Sequence, residues 1–379
     1  MPSQIAFIDL AAQRRHLGHV VDAAILRVLE HGMYVMGPEV ARLEADLSAF
    51  CGARFSISCG NGTDALALIL RAKGVKAGDA VFCPAFTFAA TAEVIAWLGA
   101  SPVFVDIGED TFNLDPISLQ ASIATARARG LNPVGVIAVD LFGQPADYDR
   151  IEATAANEGL WLLCDAAQSF GASYIGRPVG TIGQATATSF FPAKPLGCYG
   201  DGGAVFTDDA QLAHVIRSLR IHGQGTDKYD NVQVGMNSRL DTVQAAVLIE
   251  KLKIFSEEIS ARNRVATRYT EQLGDLAIVP TILEGATSVW AQYTLRLPDC
   301  DRNAVQASLT AAGVPTAVYY PVPLHRQVAY RHYPTAPAGL PVSDRVAAEV
   351  ISLPMHPYLT EEMQDQVTAA VRAALAART

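Results

Sequence analysis

Apolar and polar positions follow two rhythms along the chain. Over residues 21–31 apolar side chains return every three or four positions, which predicts a helix. A short strand follows at 55–58, then Gly60-Asn61-Gly62 and a helix over 63–72. The alternation continues with strand 80–83, helix 89–98, strand 103–106, helix 116–129, strand 134–139, helix 148–157 and strand 160–164. Such a rhythm predicts an α/β fold, with a mostly parallel sheet covered by helices on both faces. Gly37-Pro38-Glu39-Val40 reads as a helix start with Pro near the first position.

The rhythm changes after Lys194. The pattern there predicts strand 204–207 and helices 211–220, 239–252 and 257–273. Strands 290–297 and 316–320 then mix with helices 302–312, 343–352 and 360–376. This α+β pattern predicts a large domain over 1–252 and a smaller C-terminal domain over 253–379. The apolar runs are short: 95–98 stops at Gly99 and 136–139 stops at Asp140. A membrane helix needs about 20 residues, so no membrane role is expected.

Composition narrows the function classes. Half of the 379 residues are hydrophobic and 18% are charged, which excludes a disordered chain. The net charge of −9 argues against a general nucleic-acid surface, and an anionic substrate would need local cations. Residues 1–4 show neither a basic region nor an apolar core of a secretory signal. The six cysteines contain no C-x-x-C pair and read as reduced thiols, so cytoplasmic residence is expected.

Three places could carry chemistry. Gly60-Asn61-Gly62-Thr63-Asp64-Ala65 follows a strand and opens a helix, where free N–H groups can meet an anion. The plainer reading is a turn capped by Thr63. The string also fits a dinucleotide fingerprint, but the next strand ends in Cys83-Pro84-Ala85 without the required acid. Asp165 ends an apolar strand, where α/β sheets bind ligands; it would serve either a cationic ring nitrogen or a helix cap. Lys194 sits among apolar, Pro and Gly residues, and desolvation would make its amine nucleophilic; a solvated surface lysine is the plain alternative. Ser189 adds a hydroxyl upstream. His16 and His19 lack partners at ligand spacing, so no metal is expected, and no G-x-S-x-G elbow occurs.

A phosphate turn, a strand-end Asp and a constrained Lys, in that order, resemble fold type I pyridoxal-phosphate enzymes. Along nearly its whole length the chain resembles the DegT/DnrJ/EryC family of nucleotide-sugar aminotransferases. The matching strings include Asn61-Gly62-Thr63-Asp64-Ala65-Leu66, Thr87-Phe88-Ala89-Ala90-Thr91, Gly143-Gln144-Pro145-Ala146-Asp147, Asp165-Ala166-Ala167-Gln168-Ser169, Lys194 with Gly200-Asp201-Gly202-Gly203, and Asn237-Ser238-Arg239-Leu240-Asp241. The resemblance implies pyridoxal 5′-phosphate held covalently by Lys194, which would also shuttle the proton. Asp165 would face the ring nitrogen, Gln168 the ring hydroxyl and Phe88 the ring face. Gly62, Thr63 and Ser189 would bind the phosphate, joined by Asn237 from a neighbouring subunit of a homodimer.

Within the family the chain is similar to bacterial aminotransferases acting on UDP-2-acetamido-2-deoxy-3-oxo-glucuronate, with L-glutamate as donor. The strings 190–203, 234–241 and 352–359 carry that similarity. A uronate needs a cation, for which Arg239 is the candidate, with Tyr320 beside it; a surface helix-start Arg is the rival reading. Asp140, Phe142 and Tyr319 stand where the family often has His, Tyr and His. The alternatives are another keto-sugar such as a dTDP-3-oxo-6-deoxyhexose, a sugar dehydratase, a cofactor-binding regulator and a nicotinamide enzyme. The dehydratases carry His where Lys194 stands.

Overall fold

The computed structural model describes residues 5–298 and 300–376; the segment 1–4, read above for a leader, lies outside them. Helices α1 (Leu10–Leu17), α2 (His19–His31) and α3 (Pro38–Cys51) precede strand β1 (Phe55–Cys59). Then come α4 (Gly62–Ala72), β2 (Asp79–Pro84), α5 (Ala90–Trp97), β3 (Ser101–Val105), α6 (Pro116–Ala128), β4 (Asn132–Val139), α7 (Tyr148–Glu158) and β5 (Trp161–Asp165). A short hairpin, β6 (Ser173–Tyr174) and β7 (Arg177–Pro178), leads to β8 (Ala185–Ser189), β9 (Gly203–Thr207) and α8 (Ala210–Leu219). The remainder holds α9 (Thr242–Leu252), α10 (Phe255–Leu273), β10 (Tyr293–Arg296), α11 (Arg302–Ala311), α12 (Pro341–Glu349), β11 (Val350–Leu353) and α13 (Glu361–Ala376). Asp115, Asp147 and Asp209 start α6, α7 and α8 by accepting first-turn N–H groups.

Seven strands form one sheet in the order β1-β9-β8-β5-β4-β2-β3. Only β9 runs against the others. Successive residues of the central strands face opposite helix layers. On β4, Ile137 joins the α4/α5/α8 side with Leu66, Ile95 and Ile216. Val136 and Ala138 join the α6/α7 side with Leu119, Ile123 and Ile151. Both faces are therefore apolar, as a covered parallel sheet requires. The expected mostly parallel, two-sided architecture is what the chain adopts.

The C-terminal elements build their own core: Tyr269, Tyr293, Leu309, Ile351 and Val371 pack together, with Ile5 from the N-terminal side. Here three expectations need correction. The predicted strand 316–320 reduces to one bridge between Ala317 and Ser352. The predicted helix 343–352 stops at Glu349, because the β-branched Val350 and Ile351 pair with Arg296 and Leu295 instead. The predicted helix from 239 starts only at Thr242, since Ser238 N–H bonds Arg220 O and Asp241 pairs with Val35. One central strand, β8, goes unpredicted because its Ala-Thr-Ala-Thr-Ser string carries little apolar signal.

Candidate active site

The carboxyl ends of β5 and β8 and the start of α4 converge. Asn61, not Thr63, caps α4, its Oδ1 accepting from the Asp64 N–H at 2.8 Å. This leaves the first-turn N–H groups of Gly62 and Thr63 without intrahelical partners. Glycine at 62 is required by contact: a Cβ there would lie 2.7 Å from Ser189 Cβ. The Ser189 hydroxyl therefore sits directly against the helix start. Gly203 allows the same closeness, since its Cβ would lie 2.4 Å from the Asn61 carbonyl carbon.

Asp165 closes β5 and is buried. Its Oδ1 accepts from the Ala167 N–H at 3.2 Å and its Oδ2 from the Thr91 hydroxyl at 3.2 Å. Segment 166–170 forms turns rather than a helix, so the helix-cap reading of Asp165 falls away. Burial pushes its carboxyl up, opposed by the Ala167 N–H, the Lys194 charge and the Thr91 hydroxyl. Lys194 lies in a turn where its N–H bonds Phe191 O at 2.8 Å. Its stem is half-buried, while desolvation at its amine pulls the pKa down against the opposing charge of Asp165. The solvated-lysine reading therefore does not describe this site.

Gln168 is fixed on both ends of its amide. Its Oε1 accepts from the Phe142 N–H at 2.7 Å, and its Nε2 donates to Tyr320 Oη at 3.3 Å. Phe88 is 57% exposed, with its ring 6.4 Å from that of Tyr320. Burial drives the Tyr320 hydroxyl well above its ordinary pKa.

Among the described residues Asn237 and Arg239 make no ion pair with this set. Asn237 is exposed, and its backbone pairs with Ile221. Arg239 is half-buried and makes no ion pair among the described residues. Between them, buried Ser238 accepts from the Gly60 N–H at 3.0 Å, tying this strip to the edge of the phosphate turn. Reasoning from residue types missed the Asn61 cap, the Thr91 hydroxyl on Asp165 and the Phe142 N–H. Asn61 and Thr91 occurred only inside matched strings, and a main-chain donor has no residue signature. Among the described residues no three His, Cys, Asp or Glu side chains are placed to hold a metal.

A doubly covered, mostly parallel sheet with a desolvated lysine beside a strand-end aspartate defines a fold type I transferase core. The chain belongs to the DegT/DnrJ/EryC1/StrS aminotransferase family, whose profile matches residues 17–372, and it is an enzyme of that class. It is 52% identical over 356 residues to a Pseudomonas aeruginosa protein named UDP-2-acetamido-2-deoxy-3-oxo-D-glucuronate aminotransferase, covering 94% of this chain and 96% of that one. A DegT DnrJ EryC1 StrS aminotransferase from Brucella abortus superposes with TM-score 0.96 at 50% identity, covering 98% and 99% of the two chains. The DesV protein of S. venezuelae, solved with a ketimine intermediate, gives TM-score 0.92 at 37% identity and 98% coverage of both.

Proposed function

We propose that this enzyme moves an amino group from L-glutamate to C3 of a 3-oxo nucleotide sugar. The substrate is UDP-2-acetamido-2-deoxy-3-oxo-D-glucuronate, and the product serves surface polysaccharide biosynthesis, including lipopolysaccharide. The observation that carries this reading is the 52% identity, spread over 94% of the chain, to the Pseudomonas aeruginosa aminotransferase. The cofactor is pyridoxal 5′-phosphate. The site fits it on two counts: a helix start pressed against Ser189 with no room for a Cβ, and a desolvated amine beside a buried carboxylate.

When bound, pyridoxal phosphate supplies the electron sink that amino transfer needs. The residues of the chain do the rest. Desolvation lowers the Lys194 pKa, which favours an amine that would hold the cofactor and carry a proton. Asp165 would hold a proton on the ring nitrogen, a role suited to a buried carboxylate otherwise given only two hydrogen bonds. Gln168, locked by Phe142 and Tyr320, would face the ring hydroxyl. Phe88 would stack on the ring, while Gly62, Thr63 and Ser189 would take the phosphate.

The reading includes a homodimer, with Asn237 and Arg239 serving the partner's site. Exposed apolar side chains support it: Leu29, Met33, Tyr34 and Val35 are about half exposed, and Val234 is 79% exposed. This strip is continuous with the substrate strip, because Val35 pairs with Asp241 and the Thr242 N–H bonds Tyr34 O. Across such an interface Arg239, beside Tyr320, offers the uronate a two-pronged cation. The division near residue 252 belongs to the same reading, supported by the separate C-terminal core. So does cytoplasmic residence, supported by six cysteines that are all free. The test is an amination assay with L-glutamate against 3-oxo and 4-oxo nucleotide sugars. Preference for the 3-oxo UDP-uronate is expected; preference for a 4-oxo or a neutral dTDP sugar overturns the substrate assignment.

A further inference from the structure

Asp140 follows β4 on the face of the sheet opposite Asp165. It is fully buried, yet its carboxyl group receives four donors. Oδ1 accepts from Tyr148 Oη at 2.6 Å and from the Ala146 N–H at 2.9 Å. Oδ2 accepts from Ser169 Oγ at 2.7 Å and from Cys164 Sγ at 3.3 Å. Cys164 and Ser169 are the residues immediately before Asp165 and immediately after Gln168. The Asp140 N–H, moreover, bonds Asp165 O at 3.1 Å. Two residues on, the Phe142 N–H holds the Gln168 amide. The corner 140–142 thus grips the segment 164–169 at four points.

We propose that Asp140 is a positioning residue for the cofactor, setting Asp165 and Gln168 by clamping Cys164 and Ser169 on either side of them. The inference rests on the reading that Asp165 and Gln168 face pyridoxal phosphate. An apolar residue would fill this place in the α6/α7 core at less cost, since an ionised carboxylate in a dry site is tolerated only with full hydrogen bonding. A carboxylate alone offers acceptors to both flanking side chains and to Tyr148 and Ala146 together. Burial pushes the group up to about 6, so near neutral pH it stands as the acceptor this clamp requires.

Asp140→Asn isolates the clamp. The Ala146 N–H can only donate, so it keeps the amide oxygen on its side. The amide nitrogen then faces Ser169 and Cys164, reversing polarity at the two clamped residues and nowhere else. Full-length variants are titrated with pyridoxal phosphate, reading the dissociation constant and the visible circular dichroism per bound cofactor. Asp140→Asn should weaken binding about five- to tenfold, the scale of one or two lost hydrogen bonds, and reduce the dichroic band. Ser169→Ala should move both readouts the same way by less. Ile123→Ala, a cavity on α6 in the same core, should cost stability and leave both within twofold of wild type. Asp165→Asn reports on the underlying reading: if it leaves both readouts unchanged, the assignment of Asp165 to the cofactor fails. If Asp165→Asn perturbs them while Asp140→Asn and Ser169→Ala do not, or if Ile123→Ala perturbs them equally, the clamp alone is overturned. Should Asp140→Asn yield no folded protein, Ser169→Ala decides by the same criterion.

Discussion

The proposed catalytic centre and the proposed substrate strip are built in opposite ways. Lys194, Asp165, Gln168 and Ser189 sit on strand ends or tight turns of one sheet, and their polar atoms are desolvated or hydrogen-bonded within the chain. Asn237 and Arg239 sit on an irregular run outside that sheet, exposed or half-buried and without ion pairs among the described residues. The difference teaches where each kind of specificity comes from. Chemistry that depends on a shifted pKa needs a dry, rigid frame, which one chain can supply. Recognition of a charged sugar needs a cation left unpaired until the substrate arrives.

The contrast can be broken at its strongest point first. Lys194→Ala removes the proposed attachment point and proton carrier, and should lower kcat by at least about a thousandfold. In the wild-type protein, borohydride reduction should fix the pyridoxyl mass on the peptide containing Lys194, read by mass spectrometry. Label on another lysine would remove the centre from where the sheet places it.

The next effect falls on the strip. Arg239→Lys keeps the charge but loses the planar fork. For the UDP-uronate this should lower kcat/KM by roughly 30-fold to several thousandfold, the usual scale for a broken charge-assisted contact. For the neutral 6-hydroxymethyl counterpart the loss should be small, and wild type should prefer the uronate. Equal wild-type amination of both sugars would detach the strip from uronate recognition.

A smaller effect sharpens the centre side. Asp140 has its folded pKa raised to about 6 from an ordinary 3.8. A raised folded pKa means that the stability it contributes is fully present below the unfolded value and lost as pH rises through about 6. A shift of this size corresponds to about 3 kcal/mol across that window. Denaturant titrations at pH 4 and 7 should show Asp140→Asn lacking this decline; an unchanged difference would mean that Asp140 does not titrate in the fold.

Much of this was legible in the residues, for identifiable reasons. Strands β1 to β5 and helices α4 to α7 announce themselves because apolar periodicity and Gly or Asp punctuation agree there. Strand β8 does not, since Thr186 and Thr188 look like loop residues until β5 and β9 enclose them. The end of α12 is set by pairing of Val350–Leu353 with Tyr293–Arg296, residues more than fifty positions away. At the site, Asp165 and Lys194 stand out by type and setting. The clamp on Asp140 stays hidden, because Cys164 and Ser169 look like filler until folding puts both on one carboxylate.

Subunit complementation tests most directly the claim that a self-contained centre works with a strip from the partner. Lys194→Ala chains retain Arg239, and Arg239→Ala chains retain Lys194; each homodimer should be inactive on the uronate. After verified subunit exchange, half of the dimers are mixed and each holds one intact site. Activity should therefore return to roughly a quarter of wild type. No recovery in exchanged dimers would show that each site is completed within a single chain, contradicting the account.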